Sequence, residues 1–388
     1  MPAISTVLWT EDRQTLSARW HSESQLPPPR RLVVADDRTP AATAHRLACE
    51  GTGLLWRGDF HNARQLLRAM ERRVDRKTPA PARTPAETFH LQRCFRAHRA
   101  RILGRLLVVL EGDHTLTLRR APDVRRACAD AYGPPADGPT AVPLRELLGV
   151  LGARQWRAKG VEIPALGTRI HPHYGVFAPV RGEYVDLVAR APLPESAPRT
   201  AFDLGTGTGV LAALLARRGV ERVVATDISA RARVCARDNL DRLGLGERVR
   251  VTGPGLFPEG PEGREGREFP EGRAGLIVCN PPWLPARPTS TLEQGVYDPE
   301  GAMLHGFLSG LAPRLAPGGE GWLVLSDLAE HLGLRTRDEL RSAIDAAGLR
   351  VLGRIDARPR HPRAADPDDP LHAARAAEVT SLWRLGVR

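Results

Sequence analysis

The 388-residue sequence predicts an α/β protein whose C-terminal part is a mostly parallel sheet with helices on both faces. Three observations carry that prediction. From Thr200 onward, short apolar strand-like runs alternate with helix-like ones. The first such run, "TAFDL", leads at once into Gly205-Thr206-Gly207-Thr208-Gly209, a backbone free to turn tightly at a strand-to-helix switch. A later run, Leu276-Ile277-Val278-Cys279, ends in Asn280-Pro281-Pro282-Trp283. Proline donates no ladder hydrogen bond, so the strand stops at or just after Asn280 and a rigid corner follows. Such a corner, with one amide and one flat aromatic, is either a strand terminator or a binding pocket.

The length suits two domains. Residues 1–159 predict a smaller, basic, mixed α+β N-terminal domain of helices and a hairpin, and residues 160–388 the larger one. Residues 1–50 mix a proline-rich patch with short apolar pieces and assign no element. Asp59 reads as the cap of a helix running to about Arg76, with Leu66, Leu67, Met70 and Val74 on one face. A second helix spans about Pro85 to Gly104. Two alternating runs around Glu111-Gly112-Asp113-His114 predict a hairpin, followed by short helices near 122–132 and 143–158. Residues 161–182 read as a connecting hairpin, and a helix runs from Gly182 to Ala191.

In the second domain the expected order is strand "TAFDL", helix Gly209–Arg218, strand "RVVATD", helix Ala230–Leu243, strand "RVRVTG" and strand "GLIVC". A helix Pro299–Leu315, capped by Asp298, precedes strand "GWLVLS". A helix at 335–347 and the runs "LRVLGRIDA" and "EVTSLWRLG" bring the sheet to seven strands. The segment 254–273, in which "PEG" recurs three times, has too few apolar residues to order itself and is expected to be exposed.

Composition excludes several classes. The longest uncharged apolar stretch, Val210 to Ala216, is far too short to span a bilayer, and the N-terminus lacks a secretion-signal pattern, so the expected compartment is cytoplasmic with no membrane partner. Five scattered cysteines without a C-x-x-C pair argue against a disulfide framework and a structural zinc, and read as small buried hydrophobes. His171 and His173 in "HPHYG" lack a third ligand, so no metal is expected and both read as loop residues. The formal charge is +11, and Arg57–Leu107 alone carries 13 Arg and Lys against four acids, an excess of nine. That run reads either as solvated helix faces or as a polyanion-binding surface.

The glycine turn lacks the spacing of a dinucleotide site, because the third glycine of G-x-G-x-x-G would fall at Val210. Asp203, two residues before the first glycine, would repel a pyrophosphate but suits an ammonium. Asp227 ends the second strand, where a carboxylate can accept ribose hydroxyls. A nucleoside bearing an amino acid and no phosphate fits this set better than a dinucleotide. Asn280 and the glycine turn should face one crevice beyond the strand ends.

On the motifs "FDLGTGTGVLA", "VVATDIS" and "LIVCNPPW", with "YDPEG" and "LAPGGEGWLVLSD" in support, residues 160–388 resemble class I S-adenosylmethionine-dependent methyltransferases of the "NPPY" amino-methylating group. The resemblance is in particular to the ribosomal-RNA guanine-N2 enzymes and the release-factor glutamine methyltransferases. The resemblance implies a Rossmann-like seven-stranded domain and S-adenosyl-L-methionine as cofactor. It implies that Gly205, Thr206, Gly207, Thr208 and Gly209, with Asp203, hold the methionine part, and that Asp227 and Ile228 take the ribose side. Asn280 would border the cofactor and, with the Pro281 carbonyl, accept the hydrogens of the target amine, while Trp283 stacks on a flat substrate. Phe177, in "GVFAP", stands where a lid would lie. The chain departs from the pattern in Gly255-Leu256-Phe257, where family members often carry an acid and an aromatic, in Gly275 for an Asp, and in Trp283 for Tyr or Phe. The expected acceptor is an exocyclic amine of an RNA base; a protein glutamine and a non-catalytic RNA-binding role are the alternatives.

Overall fold

The computed structural model describes residues 5–197, 199–258, 272–360 and 364–388, and the chain forms two compact units. One comprises Met1–Arg83 and Glu87–Gln155; the other comprises Thr84–Ala86 and Trp156–Arg388.

In the first unit the chain runs β1 (Thr6–Glu11), β2 (Gln14–Trp20), β3 (Leu32–Ala35), α1 (Ala41–Cys49), β4 (Gly53–Trp56), α2 (Phe60–Asp75), α3 (Pro85–Leu103), β5 (Leu106–Leu110), α4 (Arg125–Tyr132), β6 (Thr140–Pro143) and α5 (Leu144–Lys159). Its sheet has the order β1-β2-β6-β5-β4-β3, with β3, β4 and β5 parallel. The hairpin is β1–β2, in the stretch whose sequence assigned no element, and it turns through Asp12 and Arg13 at positive φ. The hairpin expected at 106–120 does not form. β5 is fully buried between β4 and β6, so neither edge is free for a second arm. The chain turns at His114 (φ 66°), where the Glu111 N–H donates to the Thr115 carbonyl, and leaves the sheet. Leu116 then packs into the helical core, and Arg119 and Arg120 reach the buried Asp59 carboxylate. That carboxylate also caps α2, and the Arg120 guanidinium 2.6 Å away holds it well below the usual range.

The second unit opens with a short hairpin, β7 (Val161–Ile163) and β8 (Thr168–Ile170), after which 171–182 carries no strand. There follow α6 (Glu183–Arg190), β9 (Thr200–Leu204), α7 (Val210–Arg217), β10 (Arg222–Thr226), α8 (Ala230–Arg242), β11 (Val249–Thr252), β12 (Ala274–Cys279), α9 (Ala302–Leu311), β13 (Leu315–Ser326), α10 (Leu328–His331), α11 (Arg337–Ala346), β14 (Leu349–Ala357), α12 (His372–Ala377) and β15 (Thr380–Val387). The sheet has seven strands in the order β11-β10-β9-β12-β13-β15-β14, with β15 antiparallel to its neighbours.

Alternate residues of each central strand feed opposite faces. Ala201, Val223, Leu276, Val278 and Trp322 pack with α6, α7 and α8, whereas Phe202, Leu204, Ile277, Cys279 and Leu323 pack with α9 and α11. Of the low-complexity segment, 259–271 lies outside the described residues. Its leading part is not simply exposed: Leu256 and Phe257 pack against the second of these cores, beside α9. Cys128, Cys235 and Cys279 are buried, but Cys49 and Cys94 are exposed on α1 and α3. Among the described residues no helix is long and apolar enough to cross a membrane.

Candidate functional site

The chain leaves β9 toward β10 and β11 on one side and returns through β12 to β13 on the other, so the strand order reverses between β9 and β12. At such a switch point two loops part beyond the carboxyl ends and leave a crevice. β9 pairs in parallel with both β10 and β12, with Leu204 opposite Thr226 and opposite Cys279. Asp227, the glycine turn and Asn280 therefore sit side by side on three adjacent strand ends, about 5 Å per strand.

The turn is built from three left-handed glycines, Gly205 (φ 72°), Gly207 (φ 56°) and Gly209 (φ 82°). Gly205 and Thr206 donate their N–H groups to the Thr226 carbonyl, and a side chain on Gly205 would strike the Met303 methyl. A Cβ on Gly207 would meet nothing within 4 Å, so the open side of the turn lies there. Thr206 and Thr208 are buried, and Gly209 caps α7 against Ala236.

Two carboxylates brace this turn. Asp203 is buried, and its Oδ2 accepts from Thr206 Oγ1 at 2.6 Å and Ala212 N at 3.0 Å. Burial pushes its carboxyl up to about 6, while those two bonds pull the other way. One oxygen of Asp203 is thus spent inside the turn. Asp227 is half-buried: Oδ2 accepts from Gly207 N at 3.0 Å and Oδ1 from Ser229 N at 2.8 Å. Burial raises its carboxyl too, against the pull of those two N–H groups. Ile228 beside it is 80% exposed, an apolar surface at the mouth.

At the end of β12, Asn280 and Trp283 are half-buried and Pro281 is buried. The Trp283 Nε1–H donates to Asn280 Oδ1 at 2.8 Å. The Arg181 guanidinium lies over the indole, 4.7 Å from its centroid, and is paired with Glu183 at 2.7 Å and Glu378 at 2.9 Å. Arg181 was not singled out by the sequence, because its contact spans a hundred residues and no local pattern announces it. Asp298 departs from its expected role. Glu300 (φ 56°) and Gly301 (φ 69°) break the helix expected from Pro299, and the Asp298 carboxylate instead accepts from Met303 N at 3.0 Å and Leu304 N at 3.1 Å. It thereby sets the start of α9 and the Met303 side chain under Gly205.

Other candidates lie elsewhere. His171 and His173 are occupied, His171 Nδ1 with the Arg157 carbonyl at 2.7 Å and His173 Nε2 with Asp238 at 3.0 Å. Among the described residues no three His, Cys, Asp or Glu side chains are grouped to hold a metal. Burial pushes the Cys279 thiol well above its ordinary value, so the residue before Asn280 is no nucleophile. Phe177 is 39% exposed and lies against Gly295.

Residues 167–341 match the family model of the methyltransferase small domain. A release factor glutamine methyltransferase from Cereibacter sphaeroides is 31% identical over 176 residues, 42% of this chain and 57% of that protein. One from Chlorobaculum tepidum is 28% identical over 208 residues, 52% of this chain and 64% of that protein. A ribosomal protein L11 methyltransferase from Pelotomaculum thermopropionicum is 35% identical over 156 residues, 40% of this chain and 39% of that protein. The chain thus spans between 39% and 64% of the length of these relatives. The matched segment is a methyltransferase domain of the class I α/β fold. Its cofactor is S-adenosylmethionine.

Proposed function

We propose that this protein transfers the methyl group of S-adenosylmethionine to a planar nitrogen, a carboxamide or an exocyclic amine, held at Asn280 and Pro281. The observation that carries the reading is the placement of Asn280, the glycine turn and Asp227 on three neighbouring strand ends at the switch point. The open side of Gly207 admits an amino-acid moiety, and Asp227 keeps acceptor capacity for ribose hydroxyls while it braces the turn. The exposed Ile228 offers the apolar face next to that ribose. When bound, the cofactor supplies an electrophilic methyl on a sulfonium.

The lone pair of a planar nitrogen is delocalised, so the protein must orient it. Asn280 Oδ1 and the Pro281 carbonyl accept the two N–H hydrogens and turn the lone pair toward the methyl donor. Oδ1 already accepts from Trp283 and, as an sp² oxygen, has capacity for one more hydrogen. The proton leaves after attack, so no strong base is required beforehand.

The relatives named for release factor glutamine and ribosomal protein L11 favour a protein acceptor over the RNA base that the "NPPW" resemblance puts first. The test is methyl transfer from labelled cofactor into total protein and, separately, total RNA. Label confined to protein supports the carboxamide. Label confined to RNA restores the base, and no transfer into either refutes the reading.

A further inference from the structure

We infer that the outer face of α2 is a docking surface for RNA. The inner face of this helix is Phe60, Ala63, Leu66, Leu67, Met70 and Val74, so Arg68, Arg72 and Arg76 project to solvent on the opposite side, with Arg64 half-buried at the head of the row. Four residues advance a helix by about 6 Å, which makes the row about 18 Å long with evenly spaced guanidinium groups.

Only two other side chains of α2 within this stretch could cancel the charge, Glu71 and Asp75, and both are engaged elsewhere. Arg99 of α3 reaches across to them, at 2.7 Å to Asp75 and 3.4 Å to Glu71. Among the described residues Arg64, Arg68, Arg72 and Arg76 form no ion pair of their own. Arg64, Arg68, Arg72, Arg76 and Arg99 against Glu71 and Asp75, five cations and two acids, leave this face a net charge of +3. On the flank turned to α1, Arg73 and Lys77 add to the field: after burial, these two cations and His98 are what disfavour a proton on His45.

A solvated helix face normally interleaves its signs, because like charges four residues apart repel. Here the row keeps that repulsion and the third helix removes the compensating acids. Guanidinium groups at a regular interval, each offering a two-pronged fork, suit phosphates repeated along a backbone better than carboxylates scattered on an acidic protein. One row tracks one strand, and the single-stranded nucleic acid a cell offers in quantity is RNA, so the occupant is RNA and not duplex DNA. The inference stands on the first unit alone and holds whichever nitrogen is methylated.

The test uses the full chain and a fluorescently labelled single-stranded RNA oligonucleotide of mixed sequence, followed by anisotropy across a salt series from about 50 to 200 mM. Four phosphate contacts predict a slope of about −3 in log affinity against log salt for a single strand. Arg68→Gln/Arg72→Gln should reduce the steepness by about 1.4 and weaken binding at least tenfold at the low-salt end. Arg30→Gln/Arg126→Gln removes the same charge from exposed positions outside α2 and should leave the slope nearly unchanged. Thermal melts establish that both variants fold, and calorimetric titration with S-adenosylmethionine should give the same affinity in each. A failure of the methyl-transfer reading would appear in that titration and not in the RNA slope. The docking surface is overturned by any of three results: no RNA binding at low salt, an equal loss in the control pair, or equal affinity for duplex DNA or polyglutamate.

Discussion

Replacing Asp227 tests the cofactor assignment most directly. Its two carboxylate oxygens each accept one backbone N–H, from Gly207 at 3.0 Å and Ser229 at 2.8 Å, and each keeps lone-pair capacity that a ribose hydroxyl can use. Asp227→Ala removes both the ribose acceptors and the brace on the glycine turn. A hydrogen bond to a charged group contributes about 1.5 to 3 kcal/mol, so S-adenosylmethionine should bind about 10- to 150-fold more weakly. Asp227→Asn keeps the shape but turns an N–H₂ toward a donor, and should fall between wild type and alanine. Calorimetric titration measures all three, with melts to show that each is folded. A folded Asp227→Ala protein whose affinity stays within about twofold of wild type would refute the reasoning, as would tighter binding of NAD than of S-adenosylmethionine.

Three further outcomes are expected. Asn280→Ala should lower turnover by about two orders of magnitude or more, on whichever fraction takes up label, with cofactor affinity unchanged, because its contact forms mainly in the transition state. Trp283→Phe keeps a flat face but loses the N–H that holds Asn280, which predicts about a fivefold drop in turnover for one hydrogen bond of about 1 kcal/mol. For Asp203, a folded-state value of about 6 against 3.8 means that ionisation opposes folding: no effect is expected below about pH 4, and the cost is complete above about pH 7. Urea melts across that window should show wild type losing up to about 3 kcal/mol relative to Asp203→Asn, and a pH-independent difference would contradict the placement.

The second unit was legible in sequence because its central strands β9, β10 and β12 are buried on both faces and read as continuous apolar runs between helices. Leu204, Thr226 and Cys279 each end a strand immediately before a polar or glycine residue, so the strand ends were visible too. What failed was non-local. The second arm of the 106–120 hairpin has the right alternation, but β4 and β6 occupy both edges of β5, and no local pattern reports that. β1 and β2 turn through Asp12 and Arg13, and although Asp tolerates positive φ, Arg13 stands where such a turn prefers glycine. Asp298 was recognised as a cap, but the helix start was placed three residues early, at Pro299 and not Ala302, since the break at Glu300 comes from a left-handed non-glycine residue.

The departure from Tyr or Phe at Trp283 has a physical consequence for the acceptor. A phenyl or phenol ring at this position carries no N–H at the place from which the indole donates to Asn280 Oδ1, so the tryptophan fixes the amide's orientation before any substrate arrives. The Arg181 guanidinium then covers one face of the indole, itself held by Glu183 and Glu378. That face is closed to a flat group, and the paired arginine adds little net charge to the corner. In the proposed reaction an acceptor would therefore meet Asn280, the Pro281 carbonyl and the indole together. A small planar carboxamide meets these three demands with a single group, whereas a nucleobase must also be extruded from its neighbours to reach them. In the proposed reaction the geometry of the corner thus favours the carboxamide, and the RNA docking inferred for α2 does not depend on that choice.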